Sequence, residues 1–139
     1  MSHHKVLVVG FVGRDPEMRY LQNGTPVTSF SVATSKKYTK ESGEKVEETI
    51  WWRVSAWRKL GELCNQFLSK GRLVLVEGSM QVDKETGGPR IYTRNDGTQG
   101  SSFEITAQEV RFLGGGERRE RSDDGDVQAG AEEGEHIPF

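Results

Sequence analysis

All three tryptophans of this 139-residue chain fall within ten residues, Glu48–Trp57 (ETIWWRVSAW). Read as a strand, with successive side chains on opposite faces, the stretch separates into two sets. Ile50, Trp52, Val54 and Ala56 form a wholly apolar face and predict core. Thr49, Trp51, Arg53, Ser55 and Trp57 set two indoles on either side of a guanidinium, with small hydroxyls between them. A guanidinium without a partner is costly to bury, so this second face is expected to meet solvent or a ligand. Aromatic rings interleaved with cations suit single-stranded nucleic acid. Unpaired bases stack on such rings at about 1–3 kcal/mol each, and the cations neutralise phosphates. The same face could instead be a subunit interface or lie beneath a loop.

Other residues add to the nucleic-acid reading. Lys36, Lys37 and Tyr38 end an earlier strand, and Lys59 follows Trp57 closely. Lys70 and Arg72 flank the exit of a helix, and Arg90, Tyr92 and Arg94 adjoin a turn-rich arm. Taken singly, each charge is an ordinary solvated surface residue. Tyr38 shares strand parity with Phe30 and Val32, so its outward placement requires a bulge or a strand end. No catalytic constellation accompanies these residues. The histidines are His3, His4 and His136, near the termini, and Cys64 lies on the apolar face of a helix. Asp15 and Glu17 sit in a turn. With no Ser/His/Asp set, phosphate loop or metal-ligand spacing, the expectation is a binding protein with no catalytic residue, no metal and no cofactor.

The elements that must position these residues follow from periodicity. Lys5–Val12, Met18–Leu21, Val27–Lys37, the tryptophan strand, Leu73–Val76 and Ser102–Leu113 read as strands. Leu60, Leu63, Cys64, Phe67 and Leu68 recur at helical spacing within Lys59–Ser69. Asp83–Pro89 is a turn-rich arm and Gly97–Gly100 a second loop. Five substantial strands with one helix between the third and fourth predict a mainly β fold, a five-stranded Greek-key barrel of the OB type. The domain is expected over residues 1–113, with a flexible linker over 114–131 and an acidic tip over 132–139.

Composition agrees with a folded body and an unpacked tail. Residues 1–116 carry 16 Lys+Arg against 13 Asp+Glu, and residues 117–139 carry 3 against 8. The body's net of +3 suits an anionic partner. The tail holds too few apolar groups to offset its ordering entropy and is expected to be disordered. No apolar run is long enough to span a membrane, and a single cysteine fits a reducing compartment. The cytoplasm is therefore expected, with no membrane partner.

Three segments, KVLVVGFVGRDPEMRYLQNGTPVTSFSVATSKKY, TIWWRVSAWRKLGELCNQFLSKGRLVLVEG and FEITAQEVRFLGG, together resemble the bacterial single-stranded DNA-binding (SSB) protein family over about residues 5–115. The resemblance implies an OB-fold that assembles as a homotetramer and binds single-stranded DNA without reading its sequence, on the bacterial nucleoid. It implies base stacking at Tyr38, Trp51 and Trp57, and basic positions on the DNA path at Arg53, Lys59 and Lys70. The arm after Met80 departs from the pattern. Asp83 sits near where some relatives carry a further stacking tryptophan, and Tyr92 is the candidate substitute. The C-terminal EEGEHIPF is similar to the family's acidic tip. This implies that Glu135, Ile137, Pro138 and Phe139 recruit DNA replication, recombination and repair proteins, a terminal apolar residue with its carboxylate being suited to a cation-rimmed pocket. Two other readings stay open on the residues alone: an RNA-binding OB module, and an oligomerisation module using the tryptophan face.

Overall fold

Strict alternation along the first strand sets the pattern for the whole molecule. In β1 (Val6–Val12), Val8, Gly10 and Val12 point inward and are buried, while Leu7, Val9 and Phe11 point outward and are exposed. A computed structural model describes residues 1–115 of the chain. The short β2 (Glu17–Tyr20) runs beside β3 (Pro26–Thr39), which forms a long ribbon with β4 (Lys45–Trp57). After the helix α1 (Arg58–Phe67) come β5 (Arg72–Met80), the small strands β6 (Ile91–Thr93) and β7 (Gln99–Ser101), and β8 (Phe103–Gly115).

The main sheet has the order β1-β5-β8-β4-β3-β2, and β1 also pairs with β3 through Phe11↔Ala33 and Val12↔Val32. That second pairing closes a five-stranded barrel, with β2 outside it. β8 is parallel to β4 and antiparallel to β5. The chain thus has the expected OB arrangement, a closed barrel with one helix between its third and fourth strands. Val8, Val12, Phe30, Val32, Val54, Val74, Val76, Ile105 and Ala107 fill the barrel. A bulge between the Glu77 and Gly78 pairings gives β8 an extra residue, Gln108. The inward set therefore passes from Ile105 and Ala107 to Val110 and Phe112, a change of phase that a bulge produces.

Helix α1 closes one end of the barrel with part of the expected face: Leu60, Cys64 and Leu68 pack on the core, but the helix is rotated toward Gly61. Gly61, Cys64 and Leu68 are buried, whereas Leu63 and Phe67 are exposed at the edge. The physical reason is Gly61. A Cβ there would lie 2.5 Å from the Ala56 carbonyl oxygen, so its absence lets the helix settle on the barrel. The Thr28 hydroxyl, fully buried, donates to the Gly61 carbonyl at 2.6 Å. Phe67 instead packs against Phe112, with ring centroids 5.8 Å apart.

The β3–β4 ribbon is longer than the barrel is tall. Its register runs unbroken from Val27↔Trp57 to Thr39↔Lys45. Ile50, expected in the core, is exposed because it belongs to the projecting part, where no other element covers the inner face. The segment from 82 to 102, expected as turns and a loop, contains the β6–β7 hairpin, whose strands pair only with each other. Among the described residues, no helix is long and apolar enough to cross a membrane.

Candidate nucleic-acid interface

The outer row of β4 stands on small neighbours. Trp51 pairs with Ala33, Arg53 with Ser31 and Ser55 with Ser29. The Trp51 indole and the guanidinium therefore rise above the sheet beside short side chains, while Trp57 stands opposite Val27. Trp51 is 54% exposed and Trp57 41%, and their six-residue separation spans roughly 20 Å of strand. Gly13, just after β1, provides a seat for Trp51. A Cβ there would lie 2.5 Å from Trp51 Cζ3 and 2.9 Å from Ser31 Oγ.

Trp52 faces the other way. It is partly buried against the core, its indole N–H donates to Thr34 Oγ1 at 3.0 Å, and its ring packs on Phe103 at 5.5 Å. The two adjacent tryptophans thus divide between a packing role and an exposed face.

Arg53 lies between two depressions. On one side a recess of about 140 Å³ is lined by Arg14, Asp15, Glu17, Ser29, Ser31 and Ser55. On the other a wider groove, about 730 Å³, is lined by Asp83, Arg90, Ile91, Tyr92, Arg94 and Glu104. Arg53 borders both. One depression reaches the turn after β1 and the other the arm between β5 and β8, the two loops that flank the ligand face of an OB-fold. On the arm, the Arg94 guanidinium sits 5.6 Å from the Tyr92 ring centroid, and its Nη1 donates to the Gln99 carbonyl at 2.7 Å. The arm's turn is fixed by Asp96, which accepts the Thr98 hydroxyl at 2.7 Å and the Thr98 amide at 3.0 Å. The hydroxyl bond is the main cause holding the Asp96 carboxyl below its usual range.

The remaining sequence candidates are placed differently. Tyr38 keeps the parity of Phe30, and no bulge intervenes. It is exposed because the ribbon has left the barrel by that point. Tyr38 and Trp51 therefore occupy opposite faces of one ribbon. The Tyr38 hydroxyl donates to Glu48 at 3.2 Å, and Lys36 Nζ lies 5.7 Å from its ring centroid. That hydrogen bond first, and the Glu48 charge second, raise the phenol's pKa above 10.0. Lys36 pairs across the ribbon with Glu48 and Lys37 with Glu47.

Lys59 is exposed in the first turn of α1. The backbone N–H of Lys70 donates to Asp15 Oδ1 at 2.9 Å, tying the helix exit to the turn that carries Arg14. Arg72 turns toward the barrel. It donates to the Phe67 carbonyl at 3.1 Å and lies 5.9 Å from the Phe112 ring centroid, a packing use of the side chain. The structure thus brings Trp51, Arg53, Trp57, Arg90, Tyr92 and Arg94 to one side of the sheet and its arm, and leaves Arg72 outside that group. Glu135, Ile137, Pro138 and Phe139, with most of the expected linker, lie outside the described residues.

Two cations escaped the sequence reading. Arg14 borders the recess beside Arg53, and its signal was the adjacent Asp15-Pro16 turn. Arg58, between Trp57 and Lys59, has φ of +58°, a backbone state no residue pattern announces. Among the described residues, no group of three or more His, Cys, Asp or Glu side chains is arranged to hold a metal.

A model of the single-strand binding protein family matches residues 3–113. The chain belongs to this family. It is 43% identical over 115 residues to the single-stranded DNA-binding protein of Neisseria meningitidis serogroup A, covering 83% of this chain and 62% of that protein's length. The corresponding protein of Xylella fastidiosa is 38% identical over 122 residues, covering 88% and 67%. Among solved structures, a Plasmodium falciparum SSB complex with ssDNA superposes with a TM-score of 0.65 at 26% identity, covering 81% of this chain and 96% of that one. A small single-stranded DNA-binding protein from Streptomyces coelicolor gives 0.64 at 26% identity, covering 81% and 95%.

Proposed function

We propose that the chain binds single-stranded DNA independently of sequence and protects it during replication, recombination and repair in the bacterial cytoplasm. The observation that carries this reading is the position of Arg53. It stands between exposed Trp51 and Trp57 along the strand, and between two depressions across it, one holding Arg14 beside Asp15 and Glu17 and the other Arg90 and Arg94 beside Asp83 and Glu104. A single strand laid over this face stacks bases on the indoles and sets phosphates against Arg14, Arg53 and the arm. Tyr38 adds a stacking ring at the ribbon tip. Direct binding of oligo-dT, oligo-dC, oligo-rU and a duplex, each at several salt concentrations, tests it. Tight binding of both DNA homopolymers, weakening linearly with log salt, is expected. Preference for the duplex or for RNA would overturn it.

Self-association belongs to the same proposal. Leu7, Val9 and Phe11 form an exposed apolar row on the outer face of β1, 43–57% exposed. Such a row is suited to covering by a further copy of the chain, and a homotetramer is the assembly we propose. Sedimentation of wild type and Phe11→Glu tests this. A wild-type monomer at micromolar concentration would contradict it.

The C-terminal Ile137-Pro138-Phe139, following Glu135, is proposed to dock with replication, recombination and repair partners. Deleting Phe139 is expected to abolish their capture and to leave DNA affinity intact.

A further inference from the structure

Glu104 is a carboxylate set into the face that must accept phosphates. It pairs in register with Arg53 across the parallel β4–β8 ladder, and its side chain is only 12% exposed. Its Oε1 lies 2.8 Å from Arg90 Nη2, and its Oε2 accepts the Ser102 hydroxyl at 3.1 Å. Arg90 belongs to the arm. Among the described residues this is the one ion pair between the arm and the barrel. The β6–β7 hairpin shares no strand pairing with the barrel. Both partners line the 730 Å³ groove with Arg53, Tyr92 and Arg94.

A carboxylate and a phosphodiester offer the guanidinium fork the same thing, two acceptor oxygens bearing a negative charge. Arg90 spends an Nη2 donor on Glu104, so it turns its full fork to a phosphate only by giving up that contact. Glu104 therefore lowers the positive charge of the groove in two ways, through its own charge and by occupying a cation.

Resting on the single-strand reading above, we propose that Glu104 is an internal stand-in for a DNA phosphate. It holds Arg90, and with it the arm, against the barrel in the free protein. An incoming strand takes Arg90 from Glu104, and the released arm closes over the strand. Glu104 acts through Arg90 and is a positioning residue. No base contact is required of it, which suits binding without sequence preference.

The test compares wild type, Glu104→Gln and Arg90→Gln for binding to oligo-dT across a salt series, together with amide exchange of residues 82–101 in the free proteins. Glutamine keeps an acceptor for the Ser102 hydroxyl and removes the charge. Glu104→Gln is expected to bind about fivefold more tightly at low salt, the order that one screened charge pair carries. Its plot of log affinity against log salt should keep the wild-type slope, because Arg90 neutralises a phosphate in both complexes and the slope counts about 0.7 per phosphate on a single strand. Arg90→Gln, an exposed change that leaves the barrel core untouched, is expected to weaken binding and flatten the slope. Both variants should exchange faster along the arm. Wild-type binding with no tightening in Glu104→Gln would overturn the proposal, as would arm exchange unchanged in both variants. Absence of wild-type binding would instead remove the single-strand reading itself, and this proposal with it.

Discussion

The indole of Trp51 lies against the bare backbone of Gly13, so closely that a Cβ there would stand 2.5 Å from Trp51 Cζ3. A residue of β4 thus takes its orientation from the turn after β1, thirty-eight positions earlier in the chain. The exposed ring is seated, and a seated ring loses less rotamer entropy when a base stacks on it.

Gly13→Ala should therefore displace Trp51. The expected result is a changed tryptophan emission in the free protein and about threefold to tenfold weaker oligo-dT binding, set against the 1–3 kcal/mol that one stacked base contributes. In a Trp51→Phe background, the same Gly13 substitution should cost clearly less, because coupled neighbours are not additive. Equal losses in both backgrounds would show that the two residues act independently.

Trp52 should behave as the opposite of its neighbour. Trp52→Phe loses the 3.0 Å hydrogen bond to Thr34 and part of the packing on Phe103. A destabilisation of about 1 kcal/mol is expected, more if Thr34 is left without a partner, with oligo-dT affinity unchanged. Thermal melts and titrations on the same preparation check both halves.

Arg58 bears a conformational cost. At φ of +58°, a residue with a side chain stands roughly 1–2 kcal/mol above glycine, part of which glycine returns through the entropy of the unfolded chain. Arg58→Gly should stabilise the domain by about 0.5–1 kcal/mol, visible as a rise of a few degrees in Tm. Placed between Trp57 and Lys59, the lost cation should also weaken DNA binding and flatten its salt dependence. An unchanged Tm would show that the backbone cost is no larger than the entropy glycine gives back.

Burial pushes the Cys64 thiol up from its ordinary 9.0 to about 12. The folded value is raised, so the fold favours the neutral thiol. That contribution is complete below pH 9.0 and declines as pH rises through 9.0 towards about 12. Thiolate is the reactive form. At pH 8, a disulfide reagent should label Cys64 in denaturant and leave the native protein unlabelled over the same time. Rapid native labelling would place the thiol outside the core.

How far the sequence revealed this molecule depended on whether a residue had a neighbour to face. Val54 and Ala56 were legible as core because alternation within the barrel maps directly onto inside and outside. Ile50 obeys the same alternation, yet lies where the ribbon has outrun the barrel, and strand length carries no mark of where cover ends. The helix was legible and its orientation only in part: Leu60, Cys64 and Leu68 face the barrel as their spacing suggests, but Gly61, which contributes no hydrophobicity, rotates Leu63 and Phe67 to the edge. The β6–β7 hairpin has no buried face, so neither strand leaves a periodic trace. On the exposed face of β4, Trp51, Arg53 and Trp57 declared themselves by spacing. Arg14 carried only the turn signal beside it, and Glu104 is joined to that row through its pairing with Arg53, which no local pattern reports.

The measurement that bears most directly on the central claim is tryptophan fluorescence during titration with oligo-dT, in wild type and in the Trp51→Phe, Trp52→Phe and Trp57→Phe variants. Strong quenching that diminishes with loss of Trp51 or Trp57, persists without Trp52, and shifts to higher DNA concentration as salt rises is the predicted result. Quenching that depends on Trp52 alone, or none at low salt, would contradict the account, and the exposed tryptophan row would then be a surface for protein contacts.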